Sequence, residues 1–320
     1  MASISAQAIK ELRERTQAGM SDCKSALVEA EGDMDKAVEI ILKKGLVKSA
    51  KRAGAVASEG EVRAAVSADK RAATVVEVNI QTDFSARSEP FKEFVGKVLA
   101  VAEKAPQGSD ISAQPLDGKT VADAAAELTG KIGEKIQARR WERVEVKGAH
   151  GFASAYVHLG GKIGVVLTIE TDTDAVAKHA AVTEFAEDLA MHIAATSPLV
   201  LAREHIGEEH VQKQKEIFEA QLKEDPKPKP AAAWPKIIEG KFNKWYSEVA
   251  LHEQDSVVTK TNEKGDTLPA EKIAKLAENA GKAAGGTVKI GHFVRFERGE
   301  GIEKAQKDDF AAEVAKMAGG

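Results

Sequence analysis

The feature that most constrains the fold of this chain is an internal repeat. Two stretches follow the same order of strand, turn, strand, Thr-Asp turn and helix. They read EVRAAVSADKRAATVVEVNIQTDF…FKEFVGKVLAVAE from Glu61 and FASAYVHLGGKIGVVLTIETDT…FAEDLAMHIAAT from Phe152. Apolar runs predict the strands, and apolar residues at helical spacing predict the helices. Repetition of the whole pattern indicates two copies of one supersecondary unit.

The two copies can be aligned at the Thr-Asp turn and in the helix that follows it. Residues 80–83 match residues 169–172 at an offset of 89, whereas Phe94 matches Phe185 at an offset of 91. This alignment predicts that the second copy has two additional residues in the loop between turn and helix.

Each copy ends in a further helix and strand. In the first copy these are KIGEKIQ and RRWERVEV, and in the second they are EKIAKLAENAGKAA and TVKIGHFVRFE. Each copy therefore predicts a small antiparallel sheet with helices on one face, which is an α+β fold. We expect one subdomain at residues 55–147 and the other at residues 148–196 plus 270–298.

Residues 1–54 predict a module of three short helices. The third helix, MDKAVEIILKK, is expected to end at Gly45, because glycine readily adopts the left-handed conformation that follows a helix C-terminus. The small and basic segment VKSAKRAGAVASEG would then tether the module to the rest of the chain.

The second copy carries an insertion at residues 197–269. Two amphipathic segments flank the sequence DPKPKP, whose prolines exclude a helix, so the insertion predicts an antiparallel helical hairpin. The apolar residues on one side of its second helix are Ile237, Ile238, Phe242, Trp245 and Tyr246. That side either pairs within the hairpin or contacts a partner.

Residues 299–320 predict a short C-terminal helix. Phe310, Val314 and Met317 recur at helical spacing and form its apolar side. This helix packs either on its own chain or on a partner, and the sequence leaves both alternatives open.

Composition limits the classes of function and the expected partners. The 320 residues carry a net charge of −4, so neither direct binding of nucleic acid nor attraction to an anionic membrane is expected. The single cysteine, Cys23, favours a reducing compartment. No apolar run approaches the roughly 18 residues of a membrane span. The N-terminus has no signal-peptide pattern, and we expect a cytoplasmic protein.

No pattern of catalytic or ligand-binding residues stands out. The chain has neither a G-x-x-x-x-G-K-[ST] phosphate loop nor a G-x-S-x-G nucleophile turn. No spacing of His, Cys and Asp predicts a metal site, and Asp172 and Asp174 are more typical of a solvated turn than of a cation site. We therefore expect no cofactor, no metal and no catalytic residue.

One large apolar residue, Phe84, interrupts the polar turn in IQTDFSARSEPF. The two copies share I-x-T-D, and at the position of Phe84 the second copy has Thr173, so the ring is not required to build the turn. Two interpretations remain. Phe84 either folds back onto its own sheet or a neighbouring unit, or it is an exposed anchor for a pocket on a partner.

Several long motifs, in order along nearly the whole chain, carry a family resemblance. They are IKELRERTQAGMSDCKSAL, IQTDFSARS, KIGEKIQARR, GGKIGVVL, AMHIAA, FVRFERGEGIEK and DFAAEVAKM. With these motifs the chain closely resembles the elongation factor Ts family, the guanine-nucleotide exchange factors of bacterial elongation factor Tu.

The resemblance implies a fold and a partner. It implies a ubiquitin-associated-like module at residues 1–54, two related core subdomains, a coiled-coil protrusion at residues 197–269 and a C-terminal helical module at residues 299–320. The partner would be elongation factor Tu, bound through its GTPase domain in the bacterial cytoplasm. The chain would act by binding that GTPase and not as an enzyme.

The resemblance also assigns site residues. Asp83 and Phe84 match the residues that enter the GTPase domain between two helices and perturb the Mg²⁺ and phosphate end of its nucleotide site. Thr82 and Ser85 complete that turn. The other matching positions of partner contact are Arg13, Met20 and His158.

One alternative to this interpretation remains, and one extension of it concerns the protrusion. The three-helix module alone is compatible with an adaptor that binds a ubiquitin-like protein, although the wide match outside the module disfavours this. Within the family interpretation, the helical protrusion would be the element through which a dimer or a 2:2 complex forms.

Overall fold

The computed structural model describes residues 4–16, 18–52, 54–225, 227, 229–261 and 264–303. Its helices are α1 Ala6–Thr16, α2 Met20–Glu29, α3 Met34–Arg52, α4 Asp83–Ala86, α5 Glu89–Ala102, α6 Val121–Ile132, α7 Asp174–Ala177, α8 Ala180–Thr196, α9 Glu208–Lys223, α10 Trp234–Val249 and α11 Ile273–Ala284. Its strands are β1 Glu59–Val66, β2 Ala72–Ile80, β3 Pro115–Leu116, β4 Lys119–Thr120, β5 Ile136–Glu145, β6 His150–His158, β7 Ile163–Thr171 and β8 Val288–Glu297.

The strands form two three-stranded antiparallel sheets. β2 is central in the first sheet, in the order β1-β2-β5, and β7 is central in the second, in the order β6-β7-β8. β3 and β4 form a separate short hairpin. Residues 73–80 of β2 are all buried, because helices cover one face of this strand and the second sheet covers the other.

The two sheets pack face to face, with helices on their outer sides. Val62, Val75 and Val144 of the first sheet share one buried cluster with Val166 and Phe296 of the second. Residues of α5 and α6 cover the outer face of the first sheet, and residues of α8 and α11 cover that of the second. The predicted α+β class is confirmed, and the inner face of each sheet, which the sequence left unassigned, is buried against the other sheet.

The predicted alignment of the repeat is wrong at the Thr-Asp turn. Glu59 pairs with Ile80 and His150 pairs with Thr171, so one offset of 91 relates the strands, and the same offset relates α4 to α7. The second copy has no extra loop residues. The error arose because a shift of two residues keeps every strand side chain on its face, so strand periodicity cannot detect it.

The predicted position of the first copy's last helix is also wrong. KIGEKIQ spans the end of α6, a turn and the start of β5, because Gly133 adopts a left-handed conformation (φ 86°) and ends the helix. The helix itself, VADAAAELTGKI, is closed at its other end by a capping box between Thr120 and Asp123.

The three N-terminal helices share a core that includes Leu12, Cys23 and Leu27. The prediction that the third helix ends at Gly45 is wrong, because the helix continues to Arg52. It packs on α6 where two glycines meet. A Cβ atom added to Gly130 would lie 2.5 Å from the Cα of Gly45, so no side chain separates the two helices there.

In the insertion, α9 and α10 pack as an antiparallel pair. Phe218 meets Phe242 edge to face with ring centroids 5.2 Å apart, and Val200 pairs with Ala250 at the base of the hairpin. The predicted apolar stripe of α10 is half-buried along its whole length, so α9 covers it only in part. The predicted C-terminal helix falls largely on residues 304–320, which lie outside the described residues.

Candidate functional site

The candidate site is the corner between β2 and α5, where α4 forms a single helical turn. Thr82 precedes this turn in an extended conformation, and its hydroxyl accepts a hydrogen bond of 3.2 Å from the backbone N–H of Ser85. This is the geometry of a helix N-cap. We call residues 82–85 the first corner and the equivalent residues 173–176 the second corner.

Phe84 points into solvent from the first corner. Its side chain is 85% exposed, more than any other large apolar residue in the described part of the chain. The interpretation in which the ring folds back onto its own sheet is therefore wrong. An exposed ring of this size on an ordered turn is the pattern of an anchor residue in a protein–protein interface.

Asp83 places a negative charge beside the exposed ring. Its carboxylate pairs with Arg87 one helical turn further on, at 2.9 Å, and both side chains are largely exposed. Such a pair contributes little to stability. The carboxylate therefore remains available to exchange Arg87 for a group on a partner.

Below the turn lies Glu134, a residue that the sequence analysis did not single out. Its carboxylate accepts hydrogen bonds from the backbone N–H of Thr82 at 2.9 Å, from the Thr82 hydroxyl at 2.8 Å and from the Ser85 hydroxyl at 2.6 Å. The prediction of a helix over KIGEKIQ hid this residue. The signal in the sequence is Gly133, because a glycine commonly ends a helix. A helix that ends there places Glu134 in a loop.

The second corner has the same backbone and different side chains. Thr173 caps α7 through a hydrogen bond of 3.2 Å from the N–H of Val176, so Thr173 is the counterpart of Thr82. At the constant offset of 91, the counterpart of Phe84 is Ala175 and not Thr173, as the sequence alignment implied. The anchor ring is therefore a property of one copy only.

The two N-terminal site residues lie on different helices of the three-helix module. Met20 begins α2 and is 61% exposed, and Arg13 lies on the solvent side of α1. The module approaches the first corner through the end of α3. There Nη1 of Arg52 donates a hydrogen bond of 3.4 Å to Oε1 of Gln81, the residue before Thr82.

His158 lies at the end of β6, on the second subdomain. Its ring stacks on Tyr156 with centroids 5.8 Å apart, and Nδ1 lies 2.7 Å from the Tyr156 hydroxyl. The next residue, Leu159, is 68% exposed and was not singled out from the sequence. The structure thus distributes the predicted contact residues over three elements instead of gathering them in one pocket.

The described residues contain no group of three His, Cys, Asp or Glu side chains that could hold a metal ion. In that part of the chain, no helix has both the length and the apolar character needed to cross a membrane. The chemistry that the first corner offers is an apolar ring and an ion-paired carboxylate on a fixed turn. Such features are typical of a surface that binds another protein.

Comparisons with known proteins identify the family. Residues 81–300 match the family model described as Elongation factor TS. The chain is 43% identical over 319 residues to elongation factor Ts of Clostridium perfringens (strain 13), covering 99% of both chains. It is 45% identical over 314 residues to elongation factor Ts of a Nitratiruptor species, covering 98% of both. The chain belongs to the elongation factor Ts family, a family of translation elongation factors.

Proposed function

We propose that this chain binds the GDP-bound form of elongation factor Tu and promotes exchange of GDP for GTP. The observation that carries the proposal is the 85% exposure of Phe84 on a corner whose counterpart in the second copy has Ala175. Because the second corner folds without an aromatic residue, the ring serves something other than the fold. Family membership supports the choice of partner.

In this proposal the first corner acts as a wedge. Asp83 and Phe84 enter the GTPase domain of elongation factor Tu between two helices and perturb the Mg²⁺ and phosphate end of the nucleotide site. GTPases hold the phosphates with a helix N-terminus and Mg²⁺, so a small displacement there weakens several favourable contacts at once. Thr82 and Ser85 form the turn that presents the two wedge residues.

The free energy that displaces the nucleotide comes from tighter binding of this protein to the nucleotide-free partner than to the nucleotide-bound partner. Burying the exposed ring of Phe84 in the opened GTPase contributes about 2–3 kcal/mol. This contact lowers the affinity of elongation factor Tu for nucleotide. By linkage, bound nucleotide lowers the affinity of elongation factor Tu for this protein by the same factor. The factor therefore releases GDP and is itself released when GTP binds, without choosing between the two nucleotides.

Further contacts would extend the interface. We assign Arg13 and Met20 of residues 1–54 to the GTPase domain and His158 to a second contact on the core. The exposure of Met20 and of Leu159, next to His158, supports these assignments. Nucleic acid and membrane are not partners in this proposal, and the site of action is the bacterial cytoplasm.

We propose the domain organisation that the family implies. Residues 1–54 form a ubiquitin-associated-like module, residues 55–147 and residues 148–196 plus 270–298 form the core subdomains, and residues 299–320 form a C-terminal module. Residues 197–269 form a coiled-coil protrusion through which a dimer or a 2:2 complex assembles. The half-covered apolar stripe of α10 supports a partner role for this protrusion.

The test is release of a fluorescent GDP from elongation factor Tu, with and without the protein, for the wild type and Phe84→Ala. We expect acceleration by the wild type and a rate about 10- to 100-fold lower for Phe84→Ala. Met191→Ala is the matched control, because Met191 is an exposed apolar residue of α8 outside the proposed contacts and should leave the rate unchanged. A wild-type protein that fails to accelerate release contradicts the proposed function.

A further inference from the structure

We propose that Glu134 is a positioning residue for exchange, because its carboxylate holds the first corner in the conformation that presents Phe84. This inference rests on the proposed function of Phe84 as the wedge. It adds a residue that does not touch the partner and acts only through the turn.

The carboxylate binds the corner at three points. It accepts from the Thr82 N–H, the Thr82 hydroxyl and the Ser85 hydroxyl, all within 2.9 Å. Because the Thr82 hydroxyl donates to Glu134, its lone pairs are left to accept the N–H of Ser85. One carboxylate thus fixes Thr82, which caps the turn, and Ser85. These two residues flank the wedge residues Asp83 and Phe84.

The corner needs such support because its own helix is too short to hold it. α4 has four residues, and a single turn of helix is not stable by itself. Phe84 contributes nothing to the packing, since its ring is exposed. Ala86 is the buried residue of α4 and lies at its end, so without Glu134 the start of the turn, which carries the ring, would lose its fixed conformation.

Glu134 is in turn held between two anchored points. On one side Gly133 ends α6, and on the other side the N–H of Lys135 donates a hydrogen bond of 2.8 Å to Oε1 of Gln81. Immediately after this, Ile136 of β5 pairs with Ile80 of β2. The carboxylate therefore projects from a segment that is fixed at both ends.

The second corner serves as an internal control for the role of Glu134. The counterpart of Ser85 is Val176, which is 3% exposed and anchors its turn by apolar burial. Ile136 pairs with Ile80 as Val288 pairs with Thr171, so the counterpart of Glu134 is Gly286. An added Cβ atom there would lie 2.5 Å from both Cγ2 of Val176 and Oδ1 of Asp172. The second corner therefore folds without a glutamate at the counterpart of Glu134, and the carboxylate that lies nearest, that of Asp172, accepts the N–H of Thr287 at 3.1 Å. The carboxylate of Glu134 occurs in the copy that carries the exposed ring, which argues for a role in presenting the ring.

The expected consequence is preorganisation. A turn that is already ordered in the free protein loses no conformational freedom when the ring enters the partner. A small displacement of the Phe84 ring from its position in the contact with the partner would strongly lower the rate of GDP release. We therefore expect Glu134→Ala to lower the maximal rate of catalysed GDP release about tenfold, with thermal unfolding close to that of the wild type.

The experiment is a double-mutant cycle on GDP release from elongation factor Tu, with Glu134→Ala, Phe84→Ala and the double variant. If Glu134 acts through Phe84, its loss costs about tenfold in the wild-type background and less than about twofold in the Phe84→Ala background. Glu134→Gln, which retains one acceptor oxygen, should lie between wild type and Glu134→Ala. The control is Glu145→Ala, which removes a surface carboxylate at the other end of β5.

A second readout does not depend on activity. Hydrogen exchange of the Thr82 amide, which donates to Glu134, should accelerate at least about tenfold in Glu134→Ala, while amides within β2 stay protected. Equal losses in both backgrounds, or wild-type activity of Glu134→Ala, would overturn the positioning role while leaving the proposed function intact. Failure of the wild-type protein itself would instead overturn the proposed function.

Discussion

The backbone N–H of Gly299 donates a hydrogen bond of 2.7 Å to the carboxylate of Glu77, a residue with no exposed surface. The same carboxylate accepts from Asn79 at 2.9 Å, from Arg139 at 3.1 Å and from Arg140 at 2.5 Å. Burial raises the pKa of Glu77, but the hydrogen bonds outweigh burial, and the pKa lies below its ordinary value. A charged Glu77 thus joins β2 and β5 to the segment after β8.

Glu77→Ala should therefore destabilise the whole core. Two guanidinium groups and a backbone N–H would lose their acceptor, and we expect the free energy of unfolding to fall by about 3–5 kcal/mol. Urea unfolding at neutral pH measures this. Glu145→Ala removes an exposed carboxylate that pairs with Arg143 and should cost at most about 1 kcal/mol. Equal losses in the two variants would contradict the role of Glu77.

The crossing of α3 and α6 predicts different effects for the two glycines that form it. A Cβ atom at Gly130 would lie 2.5 Å from backbone of Gly45, whereas one at Gly45 would lie 3.7 Å from Gly130, which is ordinary contact. Gly130→Ala should separate the helices and expose residues 1–54 to limited proteolysis. Gly45→Ala should be tolerated and, within a helix, should stabilise by about 0.5–1 kcal/mol. Similar protease sensitivity in both variants would argue against this crossing.

His192 predicts a pH dependence of stability. Its Nδ1 accepts the N–H of Val257 at 3.2 Å, and its Nε2 lies 2.8 Å from Oε1 of Gln254. A neutral ring with its proton on Nε2 satisfies both contacts. Burial lowers the pKa of His192, and the hydrogen bond to Gln254 opposes this shift only in part.

Because the folded-state pKa is lowered, the unfolded chain binds a proton more readily than the folded chain. The contribution of neutral His192 is complete above the ordinary pKa of 6.5 and is lost as the pH falls below it. Urea unfolding between pH 7.5 and pH 5.5 should show a slope that His192→Gln reduces, by at most about 1.4 kcal/mol per pH unit. Identical slopes for wild type and variant would contradict this assignment.

The sequence predicted those parts of the fold that local patterns determine. The apolar run of β2, the helical spacing of α5 and α8 and the repeated order of elements led to two α+β units. Phe84 was found because a large apolar residue in a polar turn conflicts with local preference. Such a conflict is a local signal, and it identified the centre of the candidate site.

Other parts depend on contacts between residues far apart in the chain. Glu134 lies 52 residues after Thr82, and no local sequence pattern predicts that its carboxylate accepts hydrogen bonds from the turn. Glu77 alternates with valines as an outward-facing strand residue would, and its burial is explained by distant partners, Arg139, Arg140 and Gly299. The two-residue error in aligning the copies left strand periodicity intact, so it was corrected by the strand pairing and by the capping contacts of Thr82 and Thr173.

The measurement that tests the central claim most directly is the rate of GDP release from elongation factor Tu as a function of factor concentration. It is made for the wild type and Phe84→Ala by stopped-flow fluorescence. If the ring is the wedge, the rate at saturation falls about 10- to 100-fold in the variant, which corresponds to about 1.4–2.8 kcal/mol. An unchanged rate at saturation, with only the half-saturating concentration raised, would contradict the account, because Phe84 would then contribute to binding and not to nucleotide displacement.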